Sequence, residues 1–168
     1  RTTSGRRVPR KRPCGTPLRL RSIDTDALEE ALKREKNVRL IYVIPTFQNP
    51  TGLTTSLEKR KKILALASKY HVMTLEDNPY GELRFAGEEI PTIKSFDTEG
   101  LVIYCSSFSK ILSAGMRVGF VVAAEEVAAK MVVAKQSEDV HTNQFFQMVE
   151  SEFKENRQVE DYADKIGI

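Results

Sequence analysis

The chain has 168 residues, enough for one domain with a real core, and is 40% hydrophobic and 29% charged. That balance excludes wholesale disorder, and no apolar run reaches the roughly 20 residues of a membrane-spanning helix. The net charge of +3 averages two unlike regions: residues 1–22 hold eight of the 26 basic residues and no acid, which leaves 18 bases against 23 acids, a net of −5, in residues 23–168.

Residues 1–22 also carry three prolines and two glycines without apolar periodicity, which predicts a disordered basic tail outside the fold. The tail has no aromatic residue to stack on bases and the body is acidic, so nucleic acid is not an expected partner. Cys14 and Cys105 are too few and too far apart for a disulfide framework or a zinc site, which predicts a reducing, cytoplasmic setting. From Ile23 the pattern becomes regular. Asp24, Thr25 and Asp26 supply N-cap chemistry for a helix with Ala27, Leu28, Ala31 and Leu32 on one face, ending near Lys36. Val38 to Ile44 reads as a strand buried on both faces, and Thr46 to Thr54 as a loop. Thr55 and Glu58 form a capping box for a helix whose buried stripe is Ile63, Leu66, Ala67 and Tyr70. Strands follow at Val72–Leu75, Leu101–Cys105 and Val118–Ala123, then helices from Glu125 to Gln136 and from Phe145 to about Lys165. Alternating strands and helices with short connections predict a mostly parallel sheet covered by helices, with ligands gathering beyond the strands' carboxyl ends.

Chemistry-bearing residues sit at those ends. Asn49 lies in the turn Asn49-Pro50-Thr51-Gly52, Asp77 closes Thr74-Leu75-Glu76-Asp77, and Tyr80 follows at once. Ser107, Ser109 and Lys110 follow the third strand, and Arg117 comes seven residues after Lys110. Most lysines are solvated surface charges, and strand-end serines and aspartates commonly cap turns. Together, however, these residues suit pyridoxal phosphate. Desolvation of Lys110 beside a fixed cation would make its amine a usable nucleophile for an aldehyde. Asp77 can pair a protonated ring nitrogen, Asn49 and Tyr80 can donate to the ring's phenolic oxygen, and Ser107, Ser109 and Arg117 offer donors to a phosphate dianion. His71 and His141 are each solitary, without partners at metal spacing, and are assigned helix-end or interface roles.

The stretches YVIPTFQNPTG, LEDNPYGELRF and SSFSKILSAGMRVGF resemble, in order and spacing, three signature segments of the class I and II (fold type I) pyridoxal-phosphate-dependent aminotransferases. The texture is most similar to the 2-aminoadipate and kynurenine aminotransferase group, from about Ile23 onward. The resemblance implies a three-layer α/β sandwich with a mostly parallel sheet, forming part of the large cofactor-binding domain. It implies transamination between an L-amino acid, 2-aminoadipate-like or aromatic, and a 2-oxo acid such as 2-oxoglutarate. Lys110 would form the Schiff base and shuttle the proton at the α-carbon, and the full-length enzyme would be a homodimer. No Gly/Ser/Thr phosphate loop precedes Asn49, and no C-terminal small domain with a carboxylate-clamping arginine follows. The chain is therefore read as a fragment with little turnover of its own. The alternative is the effector-sensing domain of a pyridoxal-phosphate-binding transcription regulator, with the basic tail as a linker. Lyase or decarboxylase chemistry on the same cofactor is a third reading.

Overall fold

The computed structural model describes residues 18, 19, 22–139, 141–148 and 151. Strands β1 (Leu18–Arg19) and β2 (Ser22–Ile23) form a short antiparallel ladder, so regular structure begins ahead of Ile23. Then come α1 (Thr25–Arg34), β3 (Leu40–Val43), α2 (Leu57–Tyr70), β4 (Met73–Asp77), β5 (Val102–Ser107), β6 (Gly119–Val122) and α3 (Glu125–Gln136). Residues 144–148 and 151 are helical, and the rest of the helix expected up to Lys165 lies outside the described residues. No described helix is long and apolar enough to cross a membrane.

The main sheet has the order β3-β4-β5-β6. β3, β4 and β5 run parallel, and β6 returns antiparallel to β5 with Ser107 opposite Gly119. The carboxyl ends of three strands and the amino end of the fourth therefore share one edge. Helix α1 starts where Asp24 accepts hydrogen bonds from the Asp26 and Ala27 amides. It packs Leu28 and Leu32, and α2 packs Ile63, Leu66 and Ala67, onto Ile41, Val43 and Val102 of the sheet. The α/β class and the mostly parallel sheet are as the sequence predicts.

Two local expectations fail. The predicted double burial of the first main strand is absent: Ile41 and Val43 are buried, while Leu40 is 48% and Tyr42 56% exposed. Helices α1 and α2 share one core, so among the described residues one face of the sheet is covered and the other is open. The described residues thus supply the sheet and one helical layer of a three-layer sandwich. Nor does Thr55 cap α2; Ser56 is the N-cap and makes no side-chain capping bond. Thr55 is taken up by the loop, its amide donating to the Pro45 carbonyl at 2.7 Å.

A buried polar network lies beneath the sheet edge that the strands' carboxyl ends share. Arg60 of α2 is fully buried and donates to the carbonyls of Thr55, Pro45, Ile90 and Pro91 and to Thr46 Oγ1, at 2.8–3.1 Å. Burial pulls the guanidinium below the usual arginine range, and nearby Glu76 opposes that pull. Glu76, also fully buried, accepts from the Ile93 and Lys94 amides at 2.8 Å each. Burial pushes the Glu76 carboxyl up, against those two hydrogen bonds and the charges of Arg60 and Lys94. Asp97 accepts from the Leu101 and Val102 amides and pairs with Lys94 at 2.9 Å, which sets the entry to β5.

Removing one member of such a buried set strands the others. Arg60→Leu should cost about 3–5 kcal/mol in urea unfolding, and Arg60→Lys should recover only part, because an ammonium lacks the fork. A loss of under about 1 kcal/mol, the scale of an exposed pair, would contradict this account.

Candidate functional site

The loop after β3 is closed on itself. Gln48 N donates to the Leu53 carbonyl at 2.9 Å, Gly52 N to the Gln48 carbonyl at 2.6 Å, and Gly52 takes φ +69°. The Asn49–Pro50 peptide is cis. Asn49 is exposed, and its Nδ2 donates to Tyr80 Oη at 3.3 Å. Asn49 and Tyr80, 31 residues apart in sequence, are therefore brought together.

Asp77 ends β4 opposite Cys105 of β5. Its Oδ2 accepts from Tyr42 Oη at 2.7 Å, and Cys105 Sγ lies 3.7 Å from Oδ1. Partial burial, then the hydrogen bond and charge of Asp77, push the Tyr42 phenol up to about 12. Burial, followed by the same carboxylate, also pushes the Cys105 thiol up to about 12. Both groups stay protonated near neutral pH and face Asp77 as donors.

The third group follows β5. Phe108 is buried with Met116 and Val118, and Ile111, Leu112, Phe120 and Phe146 pack against them. Phe108 N donates to the Val118 carbonyl at 3.1 Å, and Leu112 N to the Phe108 carbonyl at 2.9 Å. The turn is thus anchored from below, with Ser109 and Lys110 at its top. Ser109 N donates to Ser107 Oγ at 3.1 Å, and Arg117 Nη1 lies 3.5 Å from Ser109 Oγ and 3.4 Å from the Ala114 carbonyl. Arg117 holds φ +55°, a left-handed conformation that costs a non-glycine residue on the order of 1–3 kcal/mol. Gly119 follows because nothing larger fits; a Cβ there would stand 2.7 Å from the Ser106 carbonyl oxygen. Ser107, Ser109 and Arg117 therefore form one cluster. The desolvation expected of Lys110 is not found: the residue is exposed, since the turn presents it at the open edge while its neighbours Ile111 and Leu112 take the partly buried positions.

Beside Tyr80 an open hollow of about 400 Å³ is lined by Phe47, Leu83, Phe85 and Ala86. The Arg84 guanidinium lies 4.9 Å from the centre of the Phe47 ring. No group of three or more metal-ligating side chains occurs among the described residues. His71 is the left-handed C-cap of α2, a helix-end role, and His141 is exposed.

The sequence matches the family model described as aminotransferase class I and II over residues 9–166. The chain belongs to that family. The match begins inside the basic segment expected to lie outside the fold. Among curated relatives of this chain, aromatic-amino-acid aminotransferase 1 of Thermococcus litoralis is 44% identical over 154 residues, covering 89% of this chain and 37% of the relative. The crystal structure of a multiple substrate aminotransferase from Thermococcus profundus superposes with a TM-score of 0.82 at 43% identity, over 90% of this chain and 38% of that one. An alpha-aminoadipate aminotransferase from Thermus thermophilus, complexed with N-(5′-phosphopyridoxyl)-L-leucine, gives 0.79 at 39% identity, over 90% and 39%. The chain thus spans well under half the length of these relatives.

Four residues at or beneath this sheet edge escape the sequence reading of the site: Tyr42, Cys105, Arg60 and Glu76. Arg60 had a usable signal, since it lies three and seven residues before Ile63 and Ala67 on the buried stripe of α2. Replacing Asp77 by Asn removes the charge facing Tyr42, so the Tyr42 phenol should ionise below about 12, toward its usual 10.0. Carbon-13 NMR of ring-labelled tyrosine, assigned with Tyr42→Phe, measures this; an unmoved midpoint would contradict the pairing.

Proposed function

We propose that the protein this chain belongs to catalyses pyridoxal-phosphate-dependent transamination between an L-amino acid and a 2-oxo acid, and that this chain carries the cofactor-binding part. The observation that supports it best is convergence: seven candidate side chains gather on one sheet edge in three groups of complementary chemistry. The donor set fits the cofactor. Ser107, Ser109 and Arg117 offer hydroxyl and guanidinium donors suited to a phosphate dianion. Asp77 lies one strand over and two residues back from Ser107, by the register of Asp77 with Cys105. At 3.3 Å rise per residue and 4.8 Å between strands, that is a span of roughly 8 Å, the scale of one substituted pyridine.

When bound, pyridoxal phosphate supplies an aldehyde that takes up amines and a ring that withdraws electrons from the substrate's α-carbon. The chain's residues do the rest. Asp77, which accepts a hydrogen bond from Tyr42, would present its carboxylate to the ring nitrogen. The Asn49 amide and the Tyr80 hydroxyl, already 3.3 Å apart, would hold the phenolic oxygen between them. Lys110, at the top of its anchored turn, would supply the amine that holds the aldehyde and could move a proton at the substrate's α-carbon. The apolar hollow beside Tyr80 supports an amino acid with an aromatic or otherwise apolar side chain. The names of the relatives support 2-aminoadipate-like and aromatic substrates; the acceptor in this proposal is a 2-oxo acid such as 2-oxoglutarate. They also support an enzyme over an effector-sensing domain. A homodimeric, cytoplasmic enzyme completes the proposal.

The test is reductive trapping. Borohydride added to the chain with pyridoxal 5′-phosphate should attach the phosphopyridoxyl group to Lys110, as read by peptide mass spectrometry, and Lys110→Ala should remove that label. A label spread over surface lysines, with no preference for Lys110, would overturn the reading.

A further inference from the structure

We propose that Tyr42 is a positioning residue for Asp77, holding its carboxylate toward a bound ring nitrogen. The inference deepens the cofactor reading above and rests on it. It starts from register. Tyr42 stands opposite Leu75 on the neighbouring strand, and Asp77 is two residues beyond Leu75, on the same face of the pleated sheet. From there the tyrosine reaches diagonally, and its hydroxyl donates to Asp77 Oδ2 at 2.7 Å, the length of a charge-assisted bond. On the other side Cys105, directly across from Asp77 on β5, brings Sγ to 3.7 Å from Oδ1. The carboxylate is therefore flanked by a strong donor on one oxygen and a weak thiol donor on the other. Neither flanking group ionises near neutral pH, so neither repels the acid.

The consequence is orientation. A free aspartate at a strand end samples several rotamers, and pairing a cationic ring nitrogen would require it to give up that freedom on binding. Tyr42 removes the freedom beforehand. It also makes the pairing selective: an oxygen already engaged by Tyr42 leaves the less occupied Oδ1 as the acceptor for the ring N–H. The tyrosine thus affects only ligands that carry a nitrogen at that position. Its ring is 56% exposed and is no part of the buried core, so Tyr42→Phe removes the hydroxyl and little else.

The experiment measures dissociation constants by absorbance titration for pyridoxal 5′-phosphate and for its 1-deaza analogue, in which C–H replaces the ring nitrogen. The proteins are the unaltered chain, Tyr42→Phe, Asp77→Asn and the double variant. Tyr42→Phe should weaken pyridoxal 5′-phosphate about tenfold, the scale of one charge-assisted hydrogen bond. It should leave the deaza analogue unchanged and add nothing in the Asp77→Asn background. An unchanged constant for pyridoxal 5′-phosphate, or equal weakening of both rings, would overturn the positioning role while leaving the cofactor reading intact. An unaltered chain that binds neither ring would overturn the cofactor reading itself, and this inference with it.

Discussion

The Arg60 guanidinium is the constraint on which the candidate site's sheet edge depends. A charge with no exposure to water must be fully paired, and this one is paired with backbone carbonyls rather than with a single acid. Those carbonyls belong to both ends of the loop that carries Asn49, at Pro45 and Thr55, and to the segment at Ile90 and Pro91. That segment runs directly into Ile93 and Lys94, whose amides are held by Glu76, the residue before Asp77. One buried cation thereby fixes the heights of two of the three groups at the edge. The cost of burying it is carried by geometry that a hydrophobic substitute could not reproduce.

The third group has a different foundation. The turn bearing Ser109 and Lys110 sits on an apolar cluster of Phe108, Met116 and Val118, with Phe108 and Phe120 ring centres 5.6 Å apart. Arg117 keeps its left-handed backbone between that cluster and Gly119, where close approach to Ser106 forbids a side chain. Strain at a residue whose guanidinium faces Ser109 is consistent with a position chosen for what the side chain reaches, since an unstrained backbone was available to a glycine. Polar anchoring on one side and apolar anchoring on the other support the edge from below and leave it open.

Much of this was legible in the sequence because it is local. Continuous apolar runs ending in Asn-Pro, Asp-Asn-Pro and Ser-Phe-Ser-Lys announce strands followed by chemistry, and a parallel sheet must bring such ends to one edge. The exposed face of β3 was not legible. Leu40 is as apolar as Ile41 and Val43, and the Tyr42 ring suits a buried strand as well as an exposed one, so the run alone cannot say which face the described helices cover. The capping box at Thr55 failed because the Thr55 backbone is committed to Pro45 and Arg60, an arrangement that depends on the fold being complete. The Tyr42–Asp77 bond joins residues 35 apart on adjacent strands, and only their register reveals it.

The central claim is that the three strand ends and Arg117 form one cradle for one ligand. A crystal structure of the chain grown with pyridoxal 5′-phosphate tests it most directly. The account predicts density continuous with Lys110 Nζ, the phosphate among Ser107, Ser109 and Arg117, and the ring nitrogen against Asp77. A ligand bound elsewhere, with Lys110 free in solvent and Asp77 facing no ring, would contradict it.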